Sequence, residues 1–218
     1  MRKIRKEYVM KIIDISVPLF SGMAVWPGSV ELKLRRTMSI SNGDGVNVSV
    51  LNMDAHTGTH IDAPLHFIDN GKSVDELSLD TLCGEVYVAE FSEEKTITGE
   101  ALALANIPSG TKRLLLKTKN SELWGSSDFN PEYTALDEST ARWVVDSGIE
   151  LVGIDYLSIE QYEKGSEVHK ILLGAGVVVI EGLNLNEAHP GSAELICLPL
   201  KLLGAEAAPA RVVLRVDE

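Results

Sequence analysis

Cysteine is scarce in this 218-residue chain: Cys83 and Cys197 are the only two, they lie far apart, and no C-x-x-C spacing occurs. That argues against a disulfide framework and suits two small apolar residues in a reducing cytoplasm, the expected location. Positive charge is also scarce. Lys and Arg total 20 against 32 Asp and Glu, for a net charge of −12. Nucleic-acid binding rests on cations that neutralise phosphate, so no nucleic-acid partner is expected, and the acidic surplus reads as solubility. No run approaches the ~18 consecutive apolar residues of a membrane span. Met1-Arg-Lys-Ile-Arg-Lys is basic but has no long apolar stretch behind it, so it does not read as a secretory signal. Linkers rich in Gly, Ser or Pro, repeats and low-complexity tracts are missing as well. Residues 1–10 read as an N-terminal tail, with Met10 a candidate start, and residues 11–218 as a single domain with length enough for one core.

Histidine is rare too, with five in the chain, but three of them fall in His56-Thr-Gly-Thr-His60-Ile-Asp62-Ala-Pro-Leu-His66-Phe. Imidazole and carboxylate bind divalent zinc or manganese, and histidine also moves protons near neutral pH. The spacing excludes simple geometries. On a helix, His56 and His60 would share a face but Asp62 would turn away. A fully extended strand would put His66 roughly 33 Å from His56, too far to serve one centre. The segment must therefore curl, with Gly58 allowing a bend and Ala63-Pro64 restricting the chain so that His66 turns back. It reads as an ordered loop around a cation in a metal-dependent hydrolytic site. Glu does not follow His56, so this is not an H-E-x-x-H zinc helix.

Strand-like runs recur at 12–17, 46–50, 86–91, 113–118, 151–156, 177–185, 195–200 and 211–216. Helical patterns fall between them at 98–105, at 137–147 with Gly148 beyond its end, and at 166–173 before Gly174. Strands outnumber helices and alternate with them irregularly. An α/β fold with a mixed, barrel-like sheet is expected. Two strands carry acids among apolar residues, Asp155 and Glu181. A buried carboxylate costs several kcal/mol unless paired or coordinated, so each is either held that way or solvated at a strand end. His169 precedes Glu181 by twelve residues, an interval that fits a helix, the Gly174-Ala-Gly176 turn and a returning strand. With His56, His60 and Asp62 these make five candidate ligands, enough for two metals or one enclosed metal. His66 is left over as a base. His189 reads as a surface residue, and Trp26 either as a stacking surface for an aromatic substrate or as a buried anchor beside Pro27-Gly28.

The histidine segment resembles the H-x-G-T-H-x-D-x-P-x-H-[FY] hallmark of the cyclase-like metal hydrolases, a family that includes bacterial kynurenine formamidase and isatin hydrolase. The resemblance covers about residues 11–216. Asp14-Ile-Ser16, Val25-Trp26-Pro27-Gly28, Gly153-Ile-Asp155-Tyr-Leu-Ser158 and Leu198-Pro-Leu-Lys-Leu-Leu-Gly204 through Arg211 are weaker matching pieces. It implies a swivelling β/β/α-type domain assembled as a homodimer or homotetramer. It implies that His56, His60, Asp62, His169 and Glu181 bind metal, with Asp62 bridging and His66 as catalytic base. Two zinc ions per subunit are the implied cofactor, with manganese as the variant. The implied reaction is hydrolysis of a small-molecule aryl formamide, N-formylkynurenine to kynurenine and formate. The alternatives are a cyclic amide such as isatin, a lactone, or metal binding without turnover. Two departures fall outside the ligand set: Ser29 stands where the formamidases follow W-P-G with Asp, and Glu206 where G-A-D is common. Both bear on substrate choice more than on reaction class.

Overall fold

The computed structural model describes residues 10–217. The expected tail therefore lies outside the described residues, except for Met10, which opens the first strand. In chain order the strands are β1 (Met10–Asp14), β2 (Lys33–Met38), β3 (Val48–Asn52), β4 (His60–Asp62), β5 (Cys83–Glu90) and β6 (Thr96–Ile97). They continue with β7 (Arg113–Lys117), β8 (Ala135–Leu136), β9 (Leu151–Ile154), β10 (Val178–Glu181), β11 (Gly191–Pro199) and β12 (Ala207–Asp217). The helices are α1 (Leu79–Leu82), α2 (Gly99–Leu104), α3 (Glu138–Asp146) and α4 (Glu167–Gly174).

The sheet closes on itself as the ring β12-β11-β5-β7-β9-β10-β4, which returns to β12. The long β12 makes this closure. One edge pairs with β11, and the other is divided between β4, against Ala207–Pro209, and β1, against Val213–Asp217. β5, β7, β9 and β10 run parallel to one another, whereas every pairing that involves β1, β4, β11 or β12 is antiparallel. Parallel neighbours need a crossover, and α2, α3 and α4 occupy the three crossovers. The domain is α/β with a mixed, barrel-like sheet, as expected.

Alternation along the strands divides the apolar residues into two clusters. Leu115, Leu151, Val178 and Ile180 join Val86, Val88, Leu195 and Leu214 in one of them, inside the barrel. Their neighbours Leu114, Leu116, Val152, Ile154 and Val179 belong to the other, which includes Leu102 of α2, Val144 of α3 and Leu172 of α4. The helix ends are chemically marked. Asp137 accepts from the Thr140 amide to cap α3, and Thr98 accepts from the Ala101 amide to cap α2. The expected strand at 177–185 stops at Glu181 because Gly182, with φ +71°, turns the chain.

Asp155 follows β9 and is wholly buried. Of the two readings of this acid, the held one applies, through hydrogen bonds. Thr118 donates its amide (3.0 Å) and hydroxyl (2.7 Å), and Ser121 donates its amide (3.2 Å) and hydroxyl (2.7 Å). The carboxylate thus ties 118–121 to the sheet, beneath the turn that carries Trp124. Burial nevertheless pushes the carboxyl up from 3.8 to about 6 against these four donors. A carboxyl whose folded pKa is raised stabilises the fold fully below its unfolded value, and that contribution is lost as pH rises through the folded value. Relative to Asp155→Asn, the wild-type protein should therefore lose ~3 kcal/mol of unfolding free energy between about pH 4 and about pH 7. Denaturant titrations of both proteins across that range measure it. A pH-independent difference would show that the carboxyl does not titrate there.

Candidate metal centre

The alternation that builds the core also gathers the candidate ligands. In the antiparallel pair β4–β10, His60 lies opposite Glu181, Ile61 opposite Ile180, and Asp62 opposite Val179. Directly opposed residues share a face. Ile61 and Ile180 enter the barrel cluster, so His60, Asp62 and Glu181 take the other face, with Val179, toward α4. His169, on the first turn of α4, completes the group. Part of the expected loop is thus a short strand. It remains compatible with one centre because its three residues contribute only His60 and Asp62, two positions apart.

Turns on either side bring in the other histidines. Gly58 adopts φ +68° and Gly182 φ +71°, and a Cβ at Gly182 would overlap the Gly58 carbonyl. The Thr59 hydroxyl donates to the Gly182 carbonyl (2.6 Å) and accepts from the Val17 amide (2.9 Å), locking the two turns together. After Ala63, Pro64–His66 forms a single 3-10 turn with Pro at its start, which folds His66 back to within 4.2 Å of the His56 ring, centroid to centroid.

The polar atoms converge on Asp62. His56 Nδ1 is 2.9 Å and His60 Nε2 3.4 Å from Asp62 Oδ1, and His169 Nε2 is 3.9 Å from Oδ2. His60 Nε2 also lies 3.5 Å from Glu181 Oε2, and His169 Nε2 3.0 Å from Glu181 Oε1. Despite these approaches, both Asp62 oxygens and His60 Nε2 are buried without an aligned hydrogen-bond partner among the described residues. Orphaned polar atoms are costly in a folded interior. Here all three belong to groups that bind divalent cations, so the donor set fits a metal. Two ligand triples share Asp62: His60–Asp62–Glu181 and His56–Asp62–His66, with ligand atoms inside each triple within 4.8 Å of one another. His66 is therefore placed where it could serve as a ligand as well as a base.

Electrostatics separate the histidines. Burial would lower the His60 imidazole, but the neighbouring Asp62 and Glu181 carboxylates outweigh it and raise it to about 10. His169 rises to about 10 in the same way, through Glu160 and Glu181. Burial also opposes the rise at His56, where Asp62 prevails. For Asp62, burial is outweighed by His56 and His60, which hold the carboxyl well below its usual range. His66 moves the other way: burial lowers it, which favours the neutral imidazole.

A cavity of about 380 Å³ opens onto His56, His66, His169 and Glu181, with Trp26 and Phe67 in its wall. Trp26 meets Phe129 and Tyr162 edge-on at 5.4 Å each, so it is braced by an aromatic cluster while facing the cavity. Ser29 lines the same space. Another cavity, of about 250 Å³, lies beside Ser109 and Arg113 and contains none of these residues. His189 is exposed, as expected. Sequence reasoning missed two acids. Glu160, buried, lies 2.8 Å from His169 Nδ1, and Glu206 Oε1 lies 3.5 Å from His56 Nε2. Glu206 was visible only as a departure from a family pattern, and Glu160 only as an acid directly after the mostly apolar run Tyr156–Ile159.

Comparison with known proteins accords with this geometry. The family described as "Putative cyclase" matches residues 13–161, more than half of the chain. Cyclase-like protein 1 of Arabidopsis thaliana is 35% identical over 94% of this chain and 84% of its own length. A kynurenine formamidase of Bacillus cereus is 35% identical over 93% of this chain and 96% of its own. The structure of a "predicted metal-dependent hydrolase" from Bacillus stearothermophilus, 37% identical, superposes with a TM-score of 0.82 over 95% of this chain and 98% of that one. Isatin hydrolase A from Labrenzia aggregata, 24% identical, shares the fold with a TM-score of 0.84 over 96% of this chain and 94% of its own. The chain belongs to the cyclase-like family of metal-dependent hydrolases.

Proposed function

We propose that this protein hydrolyses the C–N bond of an uncharged cyclic amide joined to an aromatic ring, the class of substrate for which isatin hydrolase is named. The observation that carries the substrate class is the cavity wall. Trp26, Phe67 and Leu157 supply apolar surface, and no Lys or Arg among the described residues lines it. An α-amino-acid substrate such as N-formylkynurenine carries a carboxylate that would enter this space without a Lys or Arg to receive it. Ser29, where the formamidases have Asp, also removes an anion that could pair with the substrate's ammonium. A neutral bicyclic amide needs neither partner. The second reading, arylformamide hydrolysis, is favoured by the similarity to kynurenine formamidase over nearly the full length of both chains.

His56, His60, Asp62, His169 and Glu181 are the residues we assign to the metal, two zinc ions per subunit with manganese as the alternative. When bound, a divalent ion supplies Lewis acidity and brings the pKa of water toward neutrality. Burial favours the neutral form of His66, which accepts the proton that water loses as its oxygen adds to the substrate carbonyl. When the adduct collapses, the C–N bond breaks and His66 returns that proton to the leaving nitrogen, giving a ring-opened amino carboxylate. Trp26 stacks on the aromatic ring and, with Phe67, keeps bulk water out. The assembly we assign is a homodimer or homotetramer. The hairpin β2–β3, fully exposed and carrying Leu34, Val48, Val50 and Leu51, offers apolar surface for it.

Turnover of isatin, a simple aryl lactone and N-formylkynurenine, with Zn²⁺ or Mn²⁺ added back, tests the substrate class. Isatin should be hydrolysed fastest. Preference for N-formylkynurenine would restore the formamidase reading, and metal binding without turnover of any of them would favour a non-catalytic protein.

Metal content measured beside turnover separates the roles of two histidines on one short segment. His60→Ala should lose metal and activity together. His66→Ala should keep its metal and lose on the order of 10²–10⁴ in rate. Loss of metal from folded His66→Ala would make it a ligand instead.

A further inference from the structure

Glu160 lies between β9 and α4, only 4% exposed, and carries none of the roles assigned above. Its carboxylate accepts three hydrogen bonds. Two come from backbone amides of the first turn of α4: Val168 to Oε1 (3.2 Å) and His169 to Oε2 (3.4 Å). The third and shortest joins Oε2 to His169 Nδ1 at 2.8 Å. Its own backbone is pinned by the Ser158 hydroxyl, which accepts from the Glu160 amide (3.2 Å), and by the Tyr133 hydroxyl, which donates to the Glu160 carbonyl (2.5 Å). Phe67 stacks on the His169 ring at 4.8 Å and 26°. With one edge held by Glu160 and one face by Phe67, the ring can direct only Nε2 at Glu181 and Asp62.

We infer that Glu160 is a positioning residue of the metal centre. It keeps the remaining proton of His169 on Nδ1 and so leaves the Nε2 lone pair free for a divalent cation, a role that rests on the metal reading above. The distal nitrogens of the other two ring ligands also face oxygen acceptors, Gly58 O for His60 (2.9 Å) and Glu206 for His56 (3.5 Å). Only His169 has a buried carboxylate there. A charged acceptor at the distal nitrogen fixes the tautomer and makes the ligating nitrogen more basic. Glu160 also sits at the positive end of α4, where its charge is favoured. Helix capping alone would engage the two amides and leave Nδ1 indifferent.

Zn²⁺ affinity, measured by competition with a chromophoric chelator, tests this on wild type, Glu160→Gln and Glu160→Asp. Gln keeps an oxygen for the α4 amides but presents an N–H to His169, favouring the tautomer that blocks Nε2. Zinc binding should weaken about 10–100-fold in Glu160→Gln with helical content retained, and Glu160→Asp should recover part of the loss. Histidine ¹⁵N spectra of zinc-loaded wild type need no variant to fold. His169 should show a solvent-protected Nδ1 proton and a coordinated Nε2. Equal zinc affinity in Glu160→Gln, or coordination through Nδ1, would overturn the role of Glu160 alone. Failure of wild type to bind zinc would overturn the metal reading beneath it.

Discussion

Asp62 is a carboxylate taken wholly out of water, with no aligned hydrogen-bond donor among the described residues. Such a group costs several kcal/mol unless other charges compensate it. Here the compensation is organised around it: His56, His60 and His169 each approach one of its oxygens, and His60 and His169 also face a second buried acid, Glu181. The carboxylates in turn raise the His60 and His169 imidazoles, which favours protons on these rings that offset the acids. Divalent cations would take the place of those protons, so metal binding and proton release are coupled. The surrounding structure holds this arrangement in place against its own repulsion.

The hold comes from the sheet. β4 has only three residues, yet it pairs with β10 on one side and β12 on the other, so His60 and Asp62 sit in a closed barrel wall. Slipping the β4–β10 register by one residue would exchange His60 and Asp62 for Ile61, exposing an apolar residue and burying two polar ones inside the barrel. The core therefore defends the site: Ile61 and Ile180 in the barrel cluster keep the alternate residues facing α4. Packing of α4 through Val168 and Leu172 then sets the depth of His169.

Much of this was legible in the sequence because chemistry and periodicity were local. The histidine segment stood out by composition as a candidate metal site, and its curl followed from Gly58 and Ala63-Pro64. The His169–Glu181 interval spelled out helix, turn and strand. The mixed, barrel-like sheet followed from the spacing of apolar runs. Other features were hidden because they depend on pairing across long separations. The strand at Ala207-Ala-Pro-Ala has little β propensity and forms because it closes the barrel. Lys33–Met38 carries three cations and forms a strand only against Val48–Asn52. The donors that hold Asp155 come from residues 34 and 37 positions earlier. Glu160 and Glu206 are ordinary acids in the sequence, and only the fold sets them against imidazole nitrogens.

Anomalous diffraction from crystals grown with Zn²⁺, collected on both sides of the zinc absorption edge, tests the central claim most directly. The account predicts peaks between β4, β10 and α4, with Asp62 coordinated by at least one oxygen and with His60 and His169 bound through Nε2. Zinc found only on surface acids, with Asp62 accepting hydrogen bonds from protonated histidines at saturating metal, would contradict it.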